Sequence, residues 1–456
     1  EGPRVYVERI NVRGNTRTRD YVIRREIPLA EGDAYNRVLV DRAERRLRSL
    51  GFFKSVKLSN EPGSASDRVV VNVDVEDQPT GAFSVSGGYS TLDGVIAEVA
   101  VSESNFLGRG QYAKLGVTGG RWTRGIDFSF TEPYFMDYRL AAGFDLFARQ
   151  QRNNRFSIYD TTTVGGTFRF GVPITDDLTF TPRYTLYAQD VKIPNTTDRP
   201  YNDCTNPIAG FTPGSGGTAP AADSTANGGP NCQTNGEVSL AMKEASGTRI
   251  VSLVGYGFIY STIDNPKNPT QGISASFRQD IAGAGGDARF LRSTADFRYY
   301  MPLWDDIVGF LRLQGGHITA FGGNSLYITD HFNLGPALVR GFAPGGIGPR
   351  DFNSTVNGRS ASLGGSKYIG ATAEIQFPFF GTPKELGLKG ALFADAGTLF
   401  GYEGRTNLQT YAGYLATDSC LTGGAAAGNA APKYSQPGCL NVHDNTAIRS
   451  SVGASI

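Results

Sequence analysis

The sequence predicts a small α+β domain of order βααββ over residues 1–79, then an all-β antiparallel transmembrane barrel over residues 80–456. Three observations predict this. From residue 81 the hydrophobic pattern settles into a period of two. The connections there alternate between short turns and long loops. No apolar stretch is long enough for a membrane helix of about 20 residues, although aromatic residues make up 11% and glycine is abundant at 59 residues. A membrane barrel escapes hydropathy searches because only every second residue of a strand faces lipid.

The first element is a strand carrying Val5, Val7, Ile10 and Val12, followed by the turn Arg13-Gly14-Asn15. Thr18 is in place to cap a short helix bearing Val22, Ile23 and Ile27, which Pro28 stops. Asn36 caps a second helix. There Leu39, Ala43, Leu47 and Leu50 recur at helical spacing, and Arg42, Glu44, Arg45, Arg46 and Arg48 take the remaining surface. Gly51 ends it, as a residue past a helix C-terminus often does. Val56 and Leu58 begin the next strand. Val69, Val71, Val73 and Val75 then alternate with Val70, Asn72, Asp74 and Glu76, a pattern that predicts one-sided burial. Gln78-Pro79 closes the domain.

Beyond it, Val95, Ala97, Val99 and Val101 alternate with Ile96, Glu98, Ala100 and Ser102. Ile126, Phe128 and Phe130 do the same, as do Val164, Phe168 and Phe170. Ile369, Ala371, Ala373, Ile375 and Phe377 alternate with Tyr368, Gly370, Thr372, Glu374 and Gln376. One face of each strand suits lipid and the other a polar lumen. Short turns fall at 107–110, 173–177 and 302–306, and long loops near 192–246, 322–364 and 401–445. The short turns are expected in the periplasm. Tyr134, Phe135 and Tyr138 flank one short turn, and Tyr299, Tyr300 and Trp304 another, as an interfacial girdle would. About thirteen strands are counted, plus the start of another at Ala447 to Ile456. Single-chain barrels have even strand numbers, so the native protein is expected to continue. Glu1-Gly2-Pro3-Arg4 lacks the apolar run of a signal peptide, so a leader is expected to have been removed or to lie further upstream.

With 44 Lys and Arg against 43 Asp and Glu, a net charge of +1 gives no electrostatic case for nucleic acid. His317, His331 and His443 do not stand at metal-ligand spacing. No nucleophile elbow or P-loop is found. No catalytic residue, metal or cofactor is therefore expected. Cys204 with Cys232, and Cys420 with Cys439, sit in polar, Gly-rich segments. They read as loop-closing disulfides of an oxidising compartment, with four exposed thiols as the alternative.

One constellation stands out. The loop near 322–364 contains Val339-Arg340-Gly341-Phe342, followed by Gly345-Gly346-Ile347-Gly348-Pro349-Arg350-Asp351. Parity puts Glu374 on the face of Thr372 and Gln376, and Asp395 on the face of Lys389, both inside. A loop folded into the lumen brings Arg340 to both acids, and a guanidinium fork suits carboxylates. The competing reading is a solvated arginine and two acids lining a wet pore.

These features resemble a known family. The βααββ order and the segment Leu50-Gly51-Phe52-Phe53-Lys54-Ser55-Val56 resemble a POTRA domain. Val339-Arg340-Gly341-Phe342 resembles the motif of the sixth extracellular loop in the BamA superfamily of outer-membrane insertases and translocators. Ala373-Glu374-Ile375 and Phe393-Ala394-Asp395-Ala396-Gly397 are further matches, and the resemblance spans essentially the whole chain. It implies sixteen strands, the last two and most of the fourteenth lying outside this sequence. It implies that Arg340 pins its loop to the inner wall through Glu374 and Asp395.

It also implies a seam between the first and last strands. The first strand is Ala82-Phe83-Ser84-Val85-Ser86-Gly87-Gly88-Tyr89. Gly87 and Gly88 weaken register there, which suits an edge that opens and equally suits ordinary barrel packing. The implied role is the central component of the outer-membrane β-barrel assembly machinery, in the bacterial outer membrane with its POTRA domain in the periplasm. Unfolded outer-membrane proteins would be clients, inserted by strand templating without nucleotide hydrolysis. Partners would be periplasmic lipoproteins such as BamD and outer-membrane lipid. The POTRA domain would offer a sheet edge to an extended peptide or act as a rigid spacer. The rival readings are a two-partner secretion transporter or translocation-and-assembly module, a diffusion porin, and an outer-membrane enzyme using Glu374 and Asp395 as an acid–base pair.

Overall fold

A computed structural model of the chain describes residues 4–90, 94–154, 156–157, 159–193, 195–196, 199–200, 239–266, 268–356, 359–379, 388–406, 440 and 442–455. They fall into two compact units, one of Glu1–Gly88, Ile96–Gly119 and Gly125–Phe147, the other of Tyr89–Val95, Gly120–Arg124 and Ala148–Ile456.

The first unit opens with β1 (Tyr6–Arg13), α1 (Asp20–Arg24), α2 (Arg37–Ser49), β2 (Phe53–Pro62) and β3 (Arg68–Asp77). The three strands form a sheet of order β1-β3-β2, with β1 parallel and β2 antiparallel to the central β3. The helices bury Val22, Ile23, Ala43 and Leu47 against Val7, Phe53, Val71 and Val73. Burying one such aliphatic side chain contributes roughly 1.5–3 kcal/mol. The Asn36 side chain accepts the Val38 N–H at 2.9 Å at the start of α2. Gly51 follows its C-cap with φ +70°, a conformation that costs glycine nothing sterically.

Two local expectations need correction. Thr18 does not cap α1: its N-cap is Arg19, without a side-chain bond. The Thr18 hydroxyl donates instead to Asp77 Oδ1 at 2.7 Å, and its oxygen, which a cap would use to accept a helix N–H, takes Asn105 Nδ2 at 2.8 Å. Burial of β3 is also not one-sided, since Val70 and Asn72 are buried with Val71 and Val73. As the central strand, β3 is screened on both edges. Asn72 Oδ1 meets the Asn11 Nδ2 donor of β1 at 3.0 Å.

Most of β4 (Gly81–Ser90), β5 (Gly94–Phe106), β6 (Gln111–Gly120), β7 (Thr123–Glu132) and β8 (Ala141–Gln151), with a 3-10 turn at Phe135–Asp137, also belongs to this unit. These strands neighbour one another in chain order. Leu107, Gly108 and Gly110 all take positive φ in the β5–β6 turn.

The second unit contains β9 (Asp160–Pro173), β10 (Leu178–Phe180), β11 (Arg183–Lys192), the ribbon β12 (Asn195–Thr196) with β13 (Arg199–Pro200), and α3 (Leu240–Glu244). Next come β14 (Gly247–Ser261), β15 (Gly272–Gly286), β16 (Phe290–Trp304), β17 (Ile307–Ala320), β18 (Arg350–Val356) and β19 (Arg359–Ser362). It closes with β20 (Lys367–Pro378), β21 (Lys389–Phe400), β22 (Val442–His443) and β23 (Arg449–Ser455). The main sheet here runs β23-β21-β20-β17-β16-β15-β14 and on to β10, β11 and β9, all antiparallel. Both β10 and β11 pair with β9 and β14, so they act as one strand interrupted at Thr181-Pro182. Pro182 has no N–H to give a ladder, which explains the break. Strands β18, β19 and β22 form a small separate sheet.

Along β20 and β21 exposure alternates as the period predicts. Ile369 (64%), Ile375 (46%) and Leu392 (54%) are bare, whereas Asp395 is buried at 4%. Phe168, Phe277, Leu311 and Val452 continue the bare row. In water this row would be an apolar patch far beyond what soluble monomers tolerate. Against hydrocarbon it is the ordinary outer surface of a membrane sheet.

Candidate functional site

The site is built on β20 and β21 in the second unit. Register sets Thr372 opposite Asp395 and Glu374 opposite Phe393, so the two acids project from the same face one step apart. The loop between β17 and β18 brings Arg340 onto this face. Its Nε and Nη2 donate to Asp395 Oδ2 and Oδ1 at 2.7 and 2.8 Å, a two-pronged grip. Its backbone N–H adds a third bond to Asp395 Oδ2 at 3.0 Å. Nη1 donates to Glu374 Oε2 at 2.9 Å, and Gln376 Nε2 holds the other Glu374 oxygen at 3.0 Å. The guanidinium lies 3.5 Å above the centre of the Phe393 ring, adding a cation–π contact. A lysine lacks both the fork and the planar face.

The rest of the motif supports this grip. Leu338 and Val339 are buried with Ile347 and Leu399, and Phe342 packs on the edge of that cluster. Gly341 sits at φ +89°, a turn a side chain would strain. Gly370 and Gly397 face each other across β20 and β21. A Cβ on either would lie 2.4 or 2.8 Å from the Leu338 side chain. The paired glycines thus form a notch in the wall that takes Leu338. Leu338, Gly370, Gly397 and Phe393 went unread in the sequence as contributors. A glycine pair becomes a signal only once strand register is known.

The other predicted residues fall as follows. Ala82 to Tyr89 lie in β4, each of them exposed, with Ser84 Oγ donating to Ala100 O of β5 at 3.5 Å. Cys204, Cys232, Cys420 and Cys439 lie outside the described residues, as does most of the 192–246 and 401–445 loops. The described ends of those loops pack together. Val191, Ala241, Met242, Ile328, Leu363, Leu440 and Val442 form one apolar cluster.

A second polar cluster, within the first unit, joins the small sheet to the β5–β6 and β7–β8 turns. Thr18 Oγ1 accepts from Asn105 Nδ2 at 2.8 Å while donating to Asp77, and Asn105 Oδ1 accepts the Gly110 N–H at 2.7 Å. The Arg19 N–H donates to Gly108 O at 2.9 Å. Tyr134 donates to Glu26 Oε1 at 2.9 Å, and Arg25 stacks on its ring at 4.2 Å. Gly108 permits this approach: a Cβ there would lie 2.0 Å from the Arg17 carbonyl. Burial opposes ionisation of Asp77, but bonds from Thr18, Arg17 and Thr16 outweigh it and hold the carboxyl below its ordinary range.

Comparison with known proteins bears on the whole chain. Residues 105–456 match the Omp85 superfamily domain, and residues 5–78 match the POTRA model described as surface antigen variable number repeat. The outer membrane protein assembly factor BamA of Neorickettsia risticii is 28% identical over 87% of this chain and 47% of its own length. That of Neisseria meningitidis serogroup B is 27% identical over 93% of this chain and 49% of its own. The chain thus spans about half the length of the curated relatives it matches. The crystal structure of BamA from Haemophilus ducreyi lacking POTRA domains 1–3 superposes with a TM-score of 0.67. It covers 88% of this chain and 73% of that one at 21% identity, so the fold is shared.

Proposed function

The chain belongs to the Omp85 superfamily, and from that membership we propose that it is the central component of an outer-membrane β-barrel assembly machinery. It is an outer-membrane β-barrel protein with a periplasmic POTRA domain. On this reading residues 1–79 form the periplasmic domain and residues 80–456 the barrel. Its clients are unfolded outer-membrane proteins, and the POTRA domain meets periplasmic lipoproteins such as BamD.

The observation that carries the proposal is the grip of Arg340 on Asp395 and Glu374. A loop held on the inner face by four hydrogen bonds from one arginine, with Leu338 sunk in a notch, is a fixed part of the lumen. That argues against a freely conducting pore and leaves the sheet edge as the route. The obstacle to inserting a strand is unpaired backbone in hydrocarbon, where each group costs several kcal/mol. An exposed edge removes the obstacle by pairing with the strand as it enters. Strand β4 stands at one end of the strand order, and Gly81, Gly87 and Gly88 within it suit an edge of weak register. No step calls for nucleotide hydrolysis.

Proteoliposomes containing the protein test this. An unfolded barrel client should insert faster than into empty vesicles, without nucleotide. A Ser84→Cys variant should cross-link to a terminal strand of the arrested client. Insertion no faster than into empty vesicles, or cross-links found only with cysteines placed away from β4, would refute the reading.

A further inference from the structure

We infer that His331 is a pH-sensitive fastener: as a neutral imidazole it ties the loop after β17 to the segment after β21, and protonation releases the tie. The ring is buried and lies flat on Tyr402, with centroids 5.1 Å apart and planes 14° from parallel. Its Nδ1 is 3.0 Å from the Tyr327 carbonyl, and its Nε2 is 3.2 Å from the Glu403 backbone nitrogen. A carbonyl only accepts and a backbone N–H only donates. Nδ1 therefore carries the proton and Nε2 is bare, which fixes one neutral tautomer. A second proton would land on Nε2, pointing at the Glu403 N–H. The bond across the two segments would become a donor facing a donor.

Among the described residues, the acids near the ring already hold other donors. Asp330, next in the chain, is held by both terminal nitrogens of Arg249 and by the Tyr327 N–H. Its carbonyl takes Arg292 Nη2 at 2.7 Å. Glu403 accepts from Ser366 Oγ at 3.2 Å. Asp444 accepts the Gly401 and Tyr402 N–H groups at 2.9 and 3.1 Å. Gly364 packs beside His331, where a Cβ would meet His331 Cβ at 2.9 Å. Burial pushes the imidazole below its ordinary value, with Arg292 acting the same way. The Tyr327 carbonyl, Asp330 and Glu403 pull against this and lose.

The sign follows. An imidazole held neutral in the fastened state takes up its proton more readily once released. Its contribution is present above the ordinary value of about 6.5 and is lost as pH falls through the lower, fastened value. One proton is linked, so protection of the tied amide falls roughly tenfold per pH unit between the two values.

Amide exchange on the whole chain in lipid nanodiscs reads this directly. Between about pH 7.5 and about pH 5, the protection factor at Glu403 should fall while those of β14 and β15 stay level. His331→Gln keeps one donor and one acceptor but does not titrate, so its protection should not change with pH. His331→Lys carries a fixed charge and should be unprotected at both values. Three results would each overturn the inference: a level wild-type profile, an undiminished response in the glutamine variant, or full protection in the lysine variant at both values. The second would assign the response to a group other than His331.

Discussion

Gly370 and Gly397 stand opposite each other on β20 and β21, and the Leu338 side chain occupies the space that two Cβ atoms would need. The loop is thus positioned by shape as well as by charge. Gly370→Val should displace Leu338 and loosen the loop while the sheet still forms. Overpacking of this kind costs about 1–3 kcal/mol. Limited proteolysis within residues 334–349 is the readout, with faster cutting in the variant.

Arg340→Ala removes all three side-chain bonds to the two acids and takes the guanidinium from Asp395, whose side chain is almost wholly buried. Breaking a fully buried pair costs roughly 3–5 kcal/mol. Because about a third of the arginine side chain is exposed, the expected loss is smaller, about 1–3 kcal/mol. Arg340→Lys should recover only part of it, since an ammonium cannot span both carboxylates and face Phe393. Loop proteolysis and client insertion should rank wild type, lysine, alanine.

Asn105 bridges Thr18 and the Gly110 N–H. Asn105→Ala leaves that N–H without its side-chain acceptor, at a cost of about 1–3 kcal/mol. Amide exchange at Gly110 and Arg19 should quicken, while β1, β2 and β3 keep their protection. Equal exchange in both proteins would show that the junction is held by its other contacts, the Arg19–Gly108 and Tyr134–Glu26 bonds and the Arg25–Tyr134 stack.

Asp77 adds a pH dependence of its own. Its folded carboxyl lies below the ordinary value, so it contributes stability above that value and loses it as pH falls through the lower, folded one. Acidification below about pH 4 should free the Thr16–Thr18 segment, read by amide exchange there. Asp77→Asn should already be loosened at neutral pH.

Much of the fold was legible because its signals are local. The caps and turns of α2, at Asn36 and Gly51, act within a few residues of themselves. The alternation in β20 and β21 states which side chains share a face. Parity put Glu374 and Asp395 on the inner face, and the family resemblance singled them out as partners of Arg340. What stayed hidden depends on register or on contacts far apart in the chain. The Gly370–Gly397 notch needs two strands aligned. Thr18 looked like a cap because its partners, Asp77 and Asn105, lie 59 and 87 residues away. His331 carries no spacing signal: its role comes from Tyr327 and from Glu403, 72 residues further on.

The most direct measurement of the central claim is a double-mutant cycle between Arg340→Ala and Asp395→Asn, read out as client insertion rate in nucleotide-free proteoliposomes. If the grip holds the loop in its working position, each single change slows insertion and the double variant is no slower than either one. If the effects of the two changes multiply independently, or Arg340→Ala inserts clients at the wild-type rate, the grip is not what the activity depends on.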